Sequence, residues 1–373
     1  MQIKRDQKLA FLTLFPSLIL IAIFVYGFIA NTFYISLTDW GKAGALAEHP
    51  DIHVIGLQQY KNLFTGFLDA RFRQDLVNAI FYSLFLVAGS LFIGLFIAIL
   101  LDRKPKGENV FRTIFLYPMS LSFIVTGTIW RWMLAPEGGV NILPTLFGLP
   151  KIRFKWLSSQ ETILQFNWQH IPQILTVLVA MFFILFSVNV WRKGNPKSAR
   201  TFLILGGVLG LLGLIGGRYL PNMLIMEETH GFNLATAGII LASIWQFSGY
   251  TMAYYLAGLQ GIPQDLANAA RLDGASESQY YLHVAIPMLQ PITLSAVIIL
   301  SHISLKIFDL IFAMTGPDNL ETGHPSLLMY LTTFRANDFA KGAAIAVVLF
   351  LLAAAFIIPY LINSHRGRKA VEL

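Results

Sequence analysis

Long uncharged runs alternate with short charged ones along this chain. The runs fall at 9–38, 76–101, 113–130, 171–191, 201–217, 235–261, 284–305 and 342–363. About 20 apolar residues in a helix cross a bilayer core about 30 Å thick. The pattern therefore predicts eight membrane-spanning helices. The seventh is expected to continue past Lys306 toward Met314, and the fifth is short and glycine-rich. Lys4, Arg5 and Lys8 precede the first run as in a signal peptide, but the uncharged stretch is too long for an h-region and no small-residue cleavage site follows. A retained first span is expected.

Composition agrees with this pattern. Of 373 residues, 55% are hydrophobic and 13% charged, and the mean hydropathy is +0.62. A water-exposed domain carries about 25% charged residues, so a soluble globule is excluded. Aromatics at 13% exclude a disordered chain. The fold class is an all-α polytopic membrane protein.

Charge then sets the orientation. The net charge is +7, and no nucleic-acid partner is read from it, because cytoplasmic loops of membrane proteins collect Lys and Arg. With the N-terminus inside, segments 1–8, 102–112, 192–200, the loop after Gly261 and 363–373 hold 15 of the 27 basic residues; the opposite loops hold 8. Both termini are expected in the cytoplasm, with an even number of spans.

The inventory of reactive residues is thin. Cysteine is absent, which removes disulfides, thiolate metal sites and cysteine nucleophiles. His49 and His53, with Asp51 between them, are the one close histidine pair; no metal site is expected there. There is no Gly-x-x-x-x-Gly-Lys-Ser/Thr, so the chain is not expected to cradle ATP itself. Gly-x-Ser-x-Gly, His-Glu-x-x-His and CxxC are missing too.

The most informative stretch runs from Gly261 to Gln279. Pro263 suits a first helical turn and Asp265 its positive end. The alanine-rich turn from Leu266 to Leu272 favours helix. Gly274 supplies a stop where φ can be positive, and Ser276-x-x-Gln279 reads as a capping box that starts a second helix. The expected result is a helix, a glycine bend and a helix, with Ala267, Ala269 and Ala270 small enough for another surface to approach. As plain structure it would be a connector lying on the membrane surface.

These residues also resemble a family pattern. Permeases of maltose-type, binding-protein-dependent carbohydrate ABC importers carry a cytoplasmic loop that opens on Glu-Ala-Ala, passes through Asp-Gly-Ala and ends on Ile/Leu-Pro and a second Pro. Here the matching residues are Asn268, Ala269, Ala270, Asp273, Gly274 and Ala275, then Ile286-Pro287 and Pro291. The resemblance implies that the loop docks into a separate ATPase subunit. Asn268 replaces the usual glutamate and would hydrogen-bond without charge, leaving Arg271 and Asp273 to make the charged contacts.

Further similarity lies in Ile55–Phe64, in Phe111-Arg112-Thr113 with Tyr117-Pro118 and Trp130-Arg131-Trp132, and in Lys306–Pro317. It implies a type I ABC importer permease core of six helices. Residues 1–160 would hold the N-terminal spans and first external loops. Residues 233–365 would hold the rest of the core, with the ATPase-docking loop at 262–287, and 366–373 a basic cytoplasmic tail. The departure is 161–232, where two apolar runs form an inserted hairpin. Gly206, Gly210, Gly213 and Gly217 give it small-xxx-small spacing for close packing, and a site for lipid or an accessory subunit is the other reading.

Polar groups inside spans are costly and tend to face partners or cavities. If 284–314 is one helix, His302, Lys306 and Asp309 share a face at i, i+4 and i+7. That face is either a structural ion pair with Lys306 snorkelling or the wall of a translocation path. The run Trp245-Gln246-Phe247-Ser248-Gly249-Tyr250 offers amide, hydroxyl and aromatic surfaces suited to a sugar, although aromatic bilayer helices are common without ligands. The resemblance places substrate-contacting positions near Phe247, Tyr250, Ser304, Ile307 and Asp309.

The function implied is that of a non-catalytic permease subunit in the cytoplasmic (inner) membrane of a prokaryote, moving a sugar or polyol. It would work with membrane lipid around it, a second related permease, two ATPase subunits that bind ATP and Mg, and an extracytoplasmic substrate-binding protein. The chain itself would carry no cofactor. An ion-coupled secondary transporter is the alternative, for which an internal repeat and midplane carboxylates would be expected. A membrane-embedded enzyme using Asp309 and His302 is a third reading.

Overall fold

The computed structural model describes residues 2–41, 51–192, 194–214, 224 and 226–371. His49 of the histidine pair, Gly217 and the end of the 201–217 run lie outside them. The chain is mainly helical and forms two compact units. One comprises Met1–Tyr60, Asn78–Glu161 and Asn233–Leu373, the other Lys61–Val77 and Thr162–Phe232.

The larger unit begins with α1 (Phe11–Ser36), whose apolar window has none of its residues buried. A six-residue π-turn, Ala22–Gly27, interrupts it. Helix α2 (Ala70–Asp102) is 33 residues long; its residues from Asn78 onward belong to this unit. The run 113–130 is not one helix. It divides into α3 (Glu108–Ser120) and α4 (Phe123–Met133), which meet at 101°. The cause is local: Leu121 and Ser122 are extended, and the Ser122 side chain accepts from the Val125 N–H at 3.3 Å, capping α4. An apolar run conceals such a break because no charge marks it.

Helix α7 (Leu234–Gln260) has 16 buried residues among its 27. Its buried hydroxyls are satisfied: Ser243 Oγ lies 2.6 Å from the Tyr82 hydroxyl, and Thr251 donates to the Ser90 carbonyl at 2.6 Å. Gly249 of α7 lets α3 approach, because a Cβ there would run into the Phe115 carbonyl and come within 3.2 Å of Leu116 Cα. A Gly249→Val chain is therefore expected to lose this packing and the protein yield that depends on it. Yield by membrane fractionation and size-exclusion checks this; a normal, monodisperse peak would refute it.

Helix α8 (Gln264–Leu272) follows at once. The run 284–305 is also bent. Glu277–Met288 and α9 (Gln290–Leu305) meet at 65° around Leu289, with Pro287 and Pro291 on either side. Helix α9 does not continue toward Met314. It ends at Leu305, Lys306 leaves helical geometry at φ −107°, and a separate helix α10 (Asp309–Thr315) begins after Phe308. Helix α11 (Phe339–Val371) closes the unit.

The smaller unit contains α5 (Ile171–Arg192) and α6 (Pro196–Leu214), packed as an antiparallel hairpin. Gly206, Gly210 and Gly213 of α6 face Ala180, Ile184 and Val177 of α5, as the glycine spacing predicts. A two-stranded sheet pairs β1 (Thr162–Asn167) with β2 (Thr229–Asn233). Beside it, at the start of α2, lies Arg73, fully buried. Its guanidinium donates to both carboxylate oxygens of Glu228, at 2.7 and 2.5 Å, and to the carbonyls of Leu63 at 3.1 Å and Gly66 at 2.8 Å.

By length and composition, four helices among the described residues can cross a membrane: Phe11–Ser36, Phe67–Asp102, Trp168–Arg192 and Pro196–Leu214. The two bent pairs bring the number up to six. The eight predicted runs thus map onto helices, but not onto eight straight spans.

Candidate functional site

Around Gly274 the local rules produce the expected shape. Pro263 sits at the N-cap of α8, Asp265 in its first turn and Arg271 in its last, and Asp273 is the C-cap. Gly274 takes φ +82°, left-handed geometry that glycine adopts without steric cost. Ser276 and Gln279 form the reciprocal capping box, the Ser276 N–H donating to Gln279 Oε1 at 2.7 Å.

Asn268, Ala269, Arg271, Asp273 and Gly274 are exposed, and Ala270 and Ala275 half-buried. One expectation needs correction. Ala267 is buried and packs inward, so it offers no outer surface. Arg271 is exposed and pairs across the bend, its Nε and Nη2 donating to Glu277 Oε1 at 3.1 and 3.0 Å. The loop also presents Leu272, 89% exposed, which hydropathy could not single out within an alanine-rich helix.

Residues beyond the loop hold it in place. The Tyr281 hydroxyl donates to Asp102 Oδ2 at the end of α2 at 2.8 Å, and the Arg103 guanidinium lies 5.8 Å over its ring. Tyr281, Ala285 and Leu289 join Ile97, Ala98, Leu101, Met252, Tyr255, Leu256 and Leu259 in one buried cluster. This support joins elements distant in sequence and carries no local signal.

The residues proposed for a path separate into groups. His302, Lys306 and Asp309 do not share a helical face, because α9 stops at Leu305 and α10 begins at Asp309. Nor do Lys306 and Asp309 form an ion pair among the described residues. His302 and Lys306 line a cavity of about 450 Å³ with Phe308, Tyr330 and Phe350 among its walls. The half-buried His302 has a buried Nδ1 without a hydrogen-bond partner. Asp309 is exposed and outside that lining.

Ser304 and Ile307 face the core. The Ser304 hydroxyl is shared between Ser83 Oγ at 2.6 Å and the Ser301 carbonyl at 2.8 Å, and the Ile307 carbonyl accepts from the Ser326 hydroxyl. On α7, the Gln246 amide donates to the Leu121 carbonyl at the α3–α4 break, at 3.0 Å. Phe247 packs on Phe123 with ring centroids 6.0 Å apart, and Tyr250 stacks on Tyr254 at 4.9 Å. Sequence reasoning missed Tyr330, which meets Phe308 at 5.0 Å and Phe334 at 5.5 Å. In the 51–53 loop, His53 is engaged with Asp39, donating its N–H at 2.7 Å. That bond holds the Asp39 carboxyl below the usual carboxylate range.

Residues 90–368 match the family model described as binding-protein-dependent transport system inner membrane component. The chain is 36% identical over 370 residues to the "Probable ABC transporter permease protein" of Pyrococcus horikoshii, covering 98% of this chain and 99% of that one. It is 31% identical over 353 residues to the xylose/arabinose import permease protein XacH of Haloferax volcanii, covering 93% and 85%. A bacterial ABC transporter involved in the import of the acidic polysaccharide alginate shares the fold, with a TM-score of 0.63 at 17% identity over 99% of this chain and 97% of that one. The matched stretch takes in α3 to α10 and the whole glycine-bent loop between α7 and α9. The chain belongs to the binding-protein-dependent transport system inner membrane components, the permease subunits of ABC importers.

Proposed function

We propose that this chain forms the translocation path of an ATP-driven importer for a sugar or related polyol, together with a second related permease. It would lie in the cytoplasmic (inner) membrane of a prokaryote. Two separate ATPase subunits would bind ATP and Mg and hydrolyse ATP, and an extracytoplasmic binding protein would deliver the cargo. The carrying observation is the pre-shaped loop at Gly274, exposed at Asn268, Ala269, Arg271, Leu272 and Asp273 and rooted on Tyr281. Closure of the ATPase dimer would push on α8, and the Tyr281–Asp102 contact would pass that push to the end of α2. The helices would then switch from inward- to outward-facing.

The sugar assignment is supported by the xylose/arabinose importer relative and by the chemistry of the cavity at α9. Phe308 and Tyr330 offer aromatic faces for C–H groups, while His302 and Lys306 offer hydrogen bonds to hydroxyls. Gln246, Phe247 and Tyr250, packed near the α3–α4 break, and Ser304, Ile307 and Asp309 stand as further candidates for contact with the cargo. The test is ATP-dependent uptake into vesicles containing the whole complex, with a panel of sugars as competitors. Competition by a sugar and dependence on ATP are expected. Uptake driven by an ion gradient with no ATPase present would overturn the reading.

Lys306→Met is expected to raise the half-saturation concentration for uptake by about tenfold, the loss of one charge-assisted hydrogen bond of about 1.5 kcal/mol, with ATPase co-purification unchanged. Loss of co-purification would instead give the cavity a purely structural role.

A further inference from the structure

The hairpin of α5 and α6 has a chemical asymmetry that the transport reading does not use. Between Glu161 and Glu227 there is no acidic residue, yet Arg192, Lys193, Lys197 and Arg200 fall within nine positions of the sequence. Arg192, Lys197 and Arg200 are exposed and form no ion pair among the described residues. No acidic side chain of the hairpin is available to pair with them, so an anion that binds here meets no like charge from the hairpin.

The turn also has a shaped recess. A cavity of about 560 Å³ is lined by Trp191, Lys197 and Arg200 at its polar end and by Val188, Ala199 and Leu203 on its apolar side. Two hydrogen bonds brace the elements that border the recess. The Ser187 hydroxyl donates to the Ala199 carbonyl at 2.9 Å, fixing α6 on α5, and Asn195 Oδ1 accepts from the Ser198 N–H at 3.3 Å. Trp191 is 67% exposed, and indoles are enriched at bilayer interfaces.

We propose that this recess binds an anionic phospholipid. Its phosphate would sit between Lys197 and Arg200, its glycerol region against Trp191, and an acyl chain along Val188 and Leu203. Charge complementarity selects the occupant: two unpaired cations face a groove that is otherwise apolar, and an anionic phospholipid supplies both the charge and the hydrocarbon. The positive-inside rule assigns the site to the cytoplasmic leaflet. This inference does not depend on which solute is transported.

The experiment uses the full complex in detergent micelles and measures binding of fluorescent phosphatidylglycerol and phosphatidylcholine. Phosphatidylglycerol is expected to bind more tightly. Lys197→Ala with Arg200→Ala should weaken it by about 30-fold, at about one interaction unit of 1 kcal/mol per cation, and leave phosphatidylcholine unchanged. Lys106→Ala with Lys155→Ala, which removes two cations elsewhere, should change neither. Equal binding of the two lipids, an equal loss in the Lys106/Lys155 variant, or displacement by millimolar inorganic phosphate would each overturn the proposal.

Discussion

Replacing Gly274 with proline is expected to abolish ATP-driven uptake while the membrane-embedded helices stay folded. Gly274 holds φ +82°, and a proline ring fixes φ near −65°. No atom lies within 4 Å of where a Cβ would stand, so the effect runs through the backbone alone. Proline also removes the Gly274 N–H that donates to the Arg271 carbonyl at 3.1 Å, so the bend between α8 and Glu277 would have to re-form, carrying Asp273 and Leu272 away from their positions. A graded series checks the mechanism. Asparagine, which tolerates left-handed geometry, should retain the most uptake, and alanine should lose more at a cost of about 1–2 kcal/mol. Proline should retain none above background. Uptake by the proline variant at the parental rate would sink the proposed role of the loop.

The second large effect is expected at Arg73. Arg73→Leu would leave the Glu228 carboxylate without its counter-charge and remove the donor that Arg73 gives the Leu63 carbonyl, while the Gly66 carbonyl would keep the Asp69 N–H. Arg73 is fully buried, but Glu228 is half-buried and keeps its His230 contact, so the loss is expected at about 1–3 kcal/mol. Thermal unfolding in detergent should show a markedly lower midpoint. The double variant Arg73→Leu with Glu228→Leu should recover part of it, because no orphaned charge remains; a double variant no better than the single one would refute that account.

The same cluster gives a pH dependence. Burial pushes the His230 imidazole below its ordinary value of 6.5, against the pull of Glu228. Burial also acts to raise the Glu228 carboxyl, but hydrogen bonds from Arg73 and His230 overcome it and hold the group below 4.5. Both groups bind fewer protons folded than unfolded, so both lose stability on acidification. The decline should begin as pH falls below about 6.5 for His230 and continue below about 4.5 for Glu228. His230→Phe should flatten the upper part.

Much of this was readable from residues that act on their neighbours. Pro263, Asp265, Gly274 and the Ser276–Gln279 box each obey a rule spanning four residues or fewer, and the helix–bend–helix follows from them. Apolar runs located the helices for the same reason. The breaks were harder. At Leu121–Ser122 hydropathy continues without interruption, and only a serine cap marks the stop. At Lys306 the pattern fits one continuous helix, with the charge either snorkelling in an ion pair or lining a path, whereas the helix ends one residue earlier. That single difference separates Asp309 from His302 and Lys306. Which way Ser304, Ile307 and Ala267 face depends on packing partners far away in sequence, such as Ser83 and Ser326, and no local pattern encodes it.

The Arg271–Glu277 clip spans the glycine bend, so the chain orders this segment before any partner arrives. An ATPase subunit of the kind proposed would meet a segment that is already ordered, so that its entropy cost would be met within the free subunit. Assembly of the importer should then proceed at a rate set by encounter and orientation, with little temperature dependence from local ordering. Cutting the clip with Glu277→Ala should slow capture of the ATPase more than it speeds release.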